Sequence, residues 1–382
     1  MISFRMAAVV ALGLVSCAKE KQAASIAERS LGSAEARFAQ PFTRITGIRE
    51  LADGRVLVAD GAEKSVIMID SSWRSSSAPV RQGQGPAEFS FPSGLLAYPG
   101  DTTLLHDMLQ NRLLLLDPSG RPVRTISLPQ RVGFGAELKA DGRGSVYIRS
   151  NPLPQPGQMR QGPPDSAQII RWNLASGVVD TIASLALPRM EGGGSDGSFV
   201  MMIQPMTPAD EWDVSEGWTG IARPSPYSVD WSGPSGERTR GGPIAFIPVP
   251  VGEADKAEWQ RAMRDNRSMS ISISDGGGVL TLDEGPANDA PPPGMPELKW
   301  PTHKPAFLEN GVIAVPGRKL WILRTRPAGD DVPRYDVIDS TGAVVERVSL
   351  PAGSRVVGWG RESVYVARTD ADGLQWLERY RR

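Results

Sequence analysis

Short apolar runs separated by polar turns recur along the chain, and two of the units repeat. Residues 58–70 read VADGAEKSVIMID and residues 105–117 read LHDMLQNRLLLLD. At this offset of 47, Asp60 aligns with Asp107, Lys64 with Asn111, Val66 with Leu113 and Asp70 with Asp117. Each unit predicts a strand ending in aspartate, a polar turn, then an apolar strand ending in aspartate. A carboxylate at a turn start accepts hydrogen bonds from backbone amides two residues on. A second match pairs LLLLDPSGRPVRTISLP (113–129) with YDVIDSTGAVVERVSLP (335–351), placing hairpin turns at Asp117–Gly120 and Asp339–Gly342. Weaker copies lie at 169–185, 227–240 and 363–380. The turns fall near residues 71, 118, 175, 234, 340 and 371. That spacing suits four-stranded propeller blades, which repeat every 40–50 residues or so.

The gap from 234 to 340 is about twice the others and holds different material. VGEADKAEWQRAMRDNR (251–267) predicts a helix, with Trp259, Ala262 and Met263 at helical spacing. GPANDAPPPGMPELKWP (285–301) is a proline-rich loop. The stretch 251–303 reads as an insertion between the fourth and fifth blades. The alternative is a degenerate seventh blade around SISISDGGGVLTLD (270–283). The expected fold is all-β: a six-bladed β-propeller of four-stranded antiparallel blades over residues 35–382, with one helical and proline-rich insertion. The last unit, Val356 to Tyr380, has room for three strands. The fourth is expected from residues 35–44, which would close the ring and remove its exposed edges.

Composition narrows the chemistry. The 41 glycines and 33 prolines of 382 residues exceed average usage and fit a turn-rich chain. Ten tryptophans argue against disorder. A net charge of −1 provides no field for nucleic acid. One cysteine and two histidines rule out an internal disulfide, a thiolate metal cage and any site of three imidazoles.

The cysteine belongs to an address signal. The chain opens MISFRMAAVVALGLVSCAKEK, with Arg5 before an apolar run from Met6 to Val15. The run is too short to span a bilayer, which takes roughly twenty residues, and fits a secretory signal. Leu14-Val15-Ser16-Cys17 resembles the bacterial lipobox. That resemblance implies a lipoprotein signal peptide at 1–16, lipid attachment at Cys17 and a tether over 17–34. It implies a lipid-anchored protein of the bacterial cell envelope. Ala18, where an aspartate would favour inner-membrane retention, points to the outer membrane, facing the periplasm or the cell surface.

RQGQGPAEFSFPSGL (81–95) lacks the Gly-Lys-Ser/Thr of a phosphate loop, and Pro86 and Pro92 interrupt the helix that a dinucleotide fingerprint needs. It reads as a blade corner. Its glycines free the backbone to cross, Pro86 stiffens the crossing, and Phe89 plugs the wedge between blades. RGGPIAF (240–246) is a fainter copy. There is no Gly-x-Ser-x-Gly elbow. Ser-His-Asp catalysis is open only through His106 or His303. His303, within WPTHKPAF, reads as a loop contact; His106 aligns with Ala59 and is a candidate channel or face residue. Asp60, Asp107, Asn111 and Asp210 are weak candidates for a hard cation such as Ca²⁺, because aspartates at strand ends are ordinary turn residues. Glu237, Asp330 and Asp331 lie in expected loops, with the same turn reading. Trp212, Trp218 and Trp231 fit either packing between blades or a stacking surface. EGGGSDGSFVMMIQPM (191–206) fits either an inter-blade connection or an adaptable lid.

Together these segments resemble NHL-type six-bladed β-propellers, and within them a group of bacterial lipoproteins. The likeness rests on RQGQGPAEFSFPSGL followed by Asp107-x-x-x-Asn111-Arg112-Leu113 and Asp117-x-x-Gly120. It continues in DEWDVSEGWTGIARPSPYSVDW (210–231) and in Trp300-Pro301, Lys304-Pro305 and Phe307. It covers about residues 35 to 380, and it implies a fold while leaving function unassigned. Propellers of the amidating-lyase type use several histidines, too many for this chain. Those of the gluconolactonase type hold a divalent cation in the channel. The expected function is a membrane-anchored scaffold for an unknown protein, peptide or carbohydrate ligand, with no catalytic residue and no cofactor assigned. The alternative is a divalent-cation-dependent lactonase or hydrolase with its site in the channel.

Overall fold

The computed structural model describes residues 26–129, 132, 136–150, 164–193, 200–265, 270–274, 277–281 and 297–382. Cys17, the signal peptide and the tip of the 191–206 segment lie outside these residues.

Six antiparallel sheets form six blades. Blade 1 is Ile45–Glu50, Val56–Asp60, Ser65–Ile69 and Ser76–Ser77. Blade 2 is Pro92–Tyr98, Thr102–Asp107, Arg112–Leu116 and Pro122–Ser127. Blade 3 is Glu137–Ala140, Ser145–Arg149, Ser166–Asn173 and Val179–Ala186. Blade 4 is Glu211–Ser215, Trp218–Pro224, Tyr227–Ser232 and Arg238–Arg240. Blade 5 is Val312–Val315, Lys319–Leu323, Arg334–Ile338 and Val344–Ser349. Blade 6 is Ser354–Trp359, Ser363–Thr369, Gln375–Arg381 and, from the other end of the chain, Ala36–Arg37.

The hydrophobic pattern follows from position within a blade. Second and third strands are covered on both faces by neighbouring blades, so Val56–Asp60 is buried throughout and reads as an unbroken apolar run. The outer strand Pro122–Ser127 faces solvent and is half-buried or exposed. The core is accordingly divided into seams. Phe89, Leu57 and Leu105 pack between blades 1 and 2. Trp212 and Tyr147 pack between blades 3 and 4, and Trp231 and Phe307 between blades 4 and 5.

The hairpin turns carry the aspartates in one recurring geometry. Asp117 Oδ1 accepts from the amides of Ser119 and Arg121. Asp339 Oδ1 does the same with Thr341 and Ala343. Gly120 and Gly342 close these turns at φ of 79° and 84°, where a side chain would be strained. The turn at 371 is a partial exception. It joins the second and third strands of blade 6, not the third and fourth, because the outer strand comes from the amino-terminal side.

Closure uses both ends of the chain. Ala36 and Arg37 pair with Arg379 and Glu378, and Phe38 and Phe42 are buried in the seam between blades 6 and 1. The fold also takes in residues ahead of 35. Glu28–Ser30, within the stretch read as tether, runs parallel to Val344–Ser349 as a fifth strand of blade 5, and Leu31 is buried behind it.

The insertion leaves the ring through a two-stranded neck, where Val249–Pro250 pairs with His303–Lys304. Asp255 caps the helix Glu253–Asp265 by accepting from Gly252 N at 2.9 Å, and the same buried carboxylate meets Lys304 Nζ at 2.7 Å. Trp259 packs edge-on against Trp300. Ser270–Ser274 and Gly277–Thr281 form a lone hairpin, so this region is not a seventh blade. Among the described residues, no helix is long and apolar enough to cross a membrane.

Candidate functional site

The weak cation candidates are held by the backbone. Asp60 accepts from the amides of Thr43, Arg44, Ala62 and Glu63. Asp107 accepts from Ser90 N and Phe91 N and pairs with Arg112 Nε at 3.2 Å. Asn111 sits in the left-handed region at φ 47°, as does its repeat partner Lys64 at 48°, so both are turn residues. Asp210 accepts from Ala186 N and pairs with Arg223. These four residues lie apart in three blades. Among the described residues, no three His, Cys, Asp or Glu side chains converge as a metal site. Asp330 pairs with Arg334, and Glu237 accepts from Ser235 N.

The corner at 81–95 is bound to the turn that follows it. Arg112 Nη2 donates to the carbonyls of Gly85 and Glu88, while Gln110 Nε2 donates to Gly83 O and Ser90 Oγ. Phe89 is fully buried in the wedge, as the sequence led us to expect. Its fainter copy departs from this: Phe246 is 39% exposed and only edge-on to Tyr227, and the plug of that seam is Phe307.

The first strand of every blade lines the axis, and all six begin at one face, here the mouth. They enclose a cavity of about 420 Å³. Its wall is apolar at Ile48, Leu95, Leu138 and Val357, and polar at Ser93, His106, Glu137, Lys139, Asp213 and Asn310. His106 therefore faces the channel. Its Nδ1 lies 2.7 Å from Ser93 Oγ. Burial holds the ring down to about 4, with Asp107 opposing, so it is neutral near pH 7. The Asp107 carboxylate is turned to Ser90, Phe91 and Arg112, and the other ring nitrogen has no hydrogen bond among the described residues. Ser93 and His106 thus form a pair without the orienting acid of a triad. His303 is exposed on the insertion neck, next to Thr302 Oγ1.

The densest chemistry was not singled out in the sequence. Glu137, at the mouth end of blade 3, contacts Lys139 Nζ at 3.1 Å and Arg149 at 3.5 Å, and accepts from Trp212 Nε1 at 3.0 Å. Burial pushes its carboxyl up, but the two cations outweigh this and hold it below the usual range. Asp213 lies 3.9 Å from Lys139 and accepts from Ala314 N at 2.7 Å, tying blade 4 to blade 5. Burial pushes Asp213 up, against the pull of Lys139. Lys139 is itself raised, because Asp213 and Glu137 together overcome its desolvation. Glu211 is 5% exposed, and its carboxyl group makes no hydrogen bond among the described residues. Burial, reinforced by the Glu137 charge, pushes it up to about 8. Glu309, in the loop before blade 5, is raised by desolvation at the mouth although solvent still reaches it. One signal could have found this cluster: the 47-residue offset, carried one period beyond Pro92, lands on Lys139.

Trp212 and Trp231 are buried in seams, whereas Trp218 is partly open beneath the guanidinium of Arg318 at 4.5 Å. In the 191–206 segment, Met190–Gly193 pairs with Val200–Ile203 and Met206 is buried.

No protein-family model matches the chain, and no curated protein matches it in sequence. Among solved structures it is similar to a member of the DUF4221 family from Bacteroides vulgatus, with 10% identity over 91% of this chain and 96% of that one and a TM-score of 0.47. It is similar to a protein from Bacteroides fragilis assigned provisionally as exported, with 10% identity, 94% and 95% coverage and a TM-score of 0.47. It is also similar to a gluconolactonase from Xanthomonas campestris, with 11% identity, 93% of each chain and a TM-score of 0.44.

Proposed function

We propose that this protein is a lipid-anchored envelope propeller, of the NHL-like lipoprotein kind, that binds a small polar ligand in the mouth of its axial channel. The observation that carries the reading is the cavity of about 420 Å³, lined mostly by polar surface with a few apolar side chains among it. A concave site where fixed polar groups converge suits a small polar ligand. The cation-dependent hydrolase has less support, because Asp60, Asp107 and Asp210 already serve backbone amides and arginines. The Ser93–His106 pair lacks the third group that acyl transfer relies on. Anchoring at Cys17 and an outer-membrane address rest on the lipobox and on Ala18.

Gly94 supplies the test. It lines the cavity, and a Cβ there meets nothing within 4 Å. Gly94→Phe fills the channel without a clash at its root. Sugars, organic acids, amino acids and short peptides would be screened by thermal shift. We expect a stabilising class whose effect disappears in the folded Gly94→Phe protein. A hit that binds the variant equally well overturns the channel as the site. For the anchor, Cys17→Ala should release the protein from membranes, and continued retention refutes it.

A further inference from the structure

The lining of the channel mouth differs from blade to blade. Among the described residues, every charged group in it lies on two adjacent blades: Glu137 and Lys139 on the first strand of blade 3, and Asp213 on that of blade 4. In a closed ring of six, blades 6 and 1 stand opposite, and there the lining is apolar at Val357 and Ile48. Blade 2 contributes Ser93 and His106, both uncharged near pH 7, and the loop before blade 5 contributes Asn310. The lining therefore carries two carboxylates against one ammonium group, all on one wall.

Lys139 does not cancel these acids. Its Nζ lies 3.1 Å from Glu137 and 3.9 Å from Asp213, so one cation is shared by two carboxylates that both keep some exposure. Behind the wall and outside the lining, Arg149 adds one cation, while Glu211 and Glu309 add two carboxyl groups. Burial and the Glu137 charge keep a proton on Glu211, so a proton already meets part of the acid excess. Two neutral groups also lack partners. His106 is 6% exposed and lines the cavity, yet its Nε2 makes no hydrogen bond among the described residues. The side-chain amide of Asn310 makes none either. Buried polar groups are nearly always satisfied, so a half-satisfied imidazole facing a cavity points to an occupant.

We infer that the ligand is a small hydroxylated amine, its ammonium group held by Glu137 and Asp213 and a hydroxyl held by His106 and Asn310. This rests on the channel-binding reading above and narrows it to one chemistry. Glu137 and Asp213 already accept from Lys139, Trp212 and Ala314, but each carboxylate oxygen has two lone pairs and can take an ammonium N–H as well. Hydrogen bonds between ionised partners are the stronger kind, so the charged end sets the affinity. A hydroxyl both donates and accepts, and so satisfies His106 Nε2 in either tautomer. An anion of the same shape would meet two carboxylates on the only charged wall, so the same groups that attract the amine reject it.

Calorimetric titration of the full chain near pH 7 with three probes tests it. All share a cyclohexane ring with a hydroxyl at one end. The other end carries an ammonium group in aminocyclohexanol, a hydroxyl in cyclohexanediol and a carboxylate in hydroxycyclohexanecarboxylate. The amine should bind at least about tenfold tighter than the diol, with the carboxylate weakest. Asp213→Asn and Glu137→Gln keep acceptors for Ala314 N and Trp212 Nε1, and each should remove most of the amine's advantage while leaving the diol unchanged. His106→Leu should weaken amine and diol alike, and an unchanged pair would overturn the hydroxyl contact. A diol or carboxylate that binds as tightly as the amine overturns the ammonium site and leaves channel binding standing. If all three probes fail while another compound is lost on Gly94→Phe, the inference falls and the channel site stands. If no compound is sensitive to Gly94→Phe, both fall.

Discussion

The indole of Trp212 donates to Glu137 Oε2 at 3.0 Å across the seam between blades 3 and 4, joining the packing of that seam to the charge at the channel mouth. Trp212 is fully buried, so the bond has little access to solvent. Trp212→Phe keeps an aromatic ring in the seam but removes the donor to a charged acceptor. We expect a loss of about 1.5–3 kcal/mol in denaturant unfolding. An unchanged midpoint would show that Lys139 and Arg149 hold Glu137 unaided.

Two mouth residues predict opposite pH windows. Glu211 is raised to about 8 from 4.5, so the folded protein holds a proton that the unfolded chain has lost. Its contribution is fully present below pH 4.5 and is lost as pH rises toward 8. His106 is lowered to about 4 from 6.5, so its contribution is present above pH 6.5 and is lost as pH falls toward 4. Glu211→Gln should raise the melting temperature more at pH 8 than at pH 5, and His106→Asn should flatten the acid limb. Melting curves across pH 4–9 check both. Parallel curves for wild type and Glu211→Gln would refute the assignment.

Asp107 offers a test of structure against metal binding. Its carboxylate is fully buried and holds Ser90 N, Phe91 N and the nearly buried Arg112. Asp107→Ala leaves the Arg112 charge without its partner and should cost about 3–5 kcal/mol. The loss should be the same with and without chelator. A wild-type stability that falls in chelator to the level of the variant would instead make Asp107 a cation ligand.

Ring closure can be dissected with two deletions. Removing residues 35–44 takes away the strand Ala36–Arg37 together with buried Phe38 and Phe42, which alone account for about 3–6 kcal/mol. Removing residues 26–31 takes away only the added strand on blade 5 and Leu31. The first deletion should lower the melting temperature far more than the second. Equal effects would mean that the ring closes without Ala36–Arg37.

The blades could be read from the sequence because their signals are local. Asp117 and Asp339 bind amides two and four residues on, and the glycines three residues on adopt the backbone that such turns demand. The repeat extends even to longer contacts. Thr43 and Arg44 donate to Asp60 as Ser90 and Phe91 donate to Asp107, each set displaced by 47 residues. The mouth was not legible in this way. Glu137, Lys139, Glu211 and Asp213 meet only because inner strands of different blades share an axis, and no window of sequence contains that axis. Phe246 misled for a related reason. Gly-Pro-x-x-Phe ends on it, but the insertion begins within a few residues, and Phe307, just after the returning strand His303–Lys304, fills the wedge instead.

The added strand Glu28–Ser30 also has a direction. It runs parallel to Val344–Ser349, the outer strand of blade 5, which ascends to the mouth before the chain crosses to Ser354. The polypeptide therefore arrives at Glu28 climbing from the opposite face of the disc. If Cys17, eleven residues upstream, carries the proposed lipid, the anchor would approach from that opposite face, and the channel mouth would open away from the bilayer. A solute would then reach the mouth from solution without passing between protein and lipid.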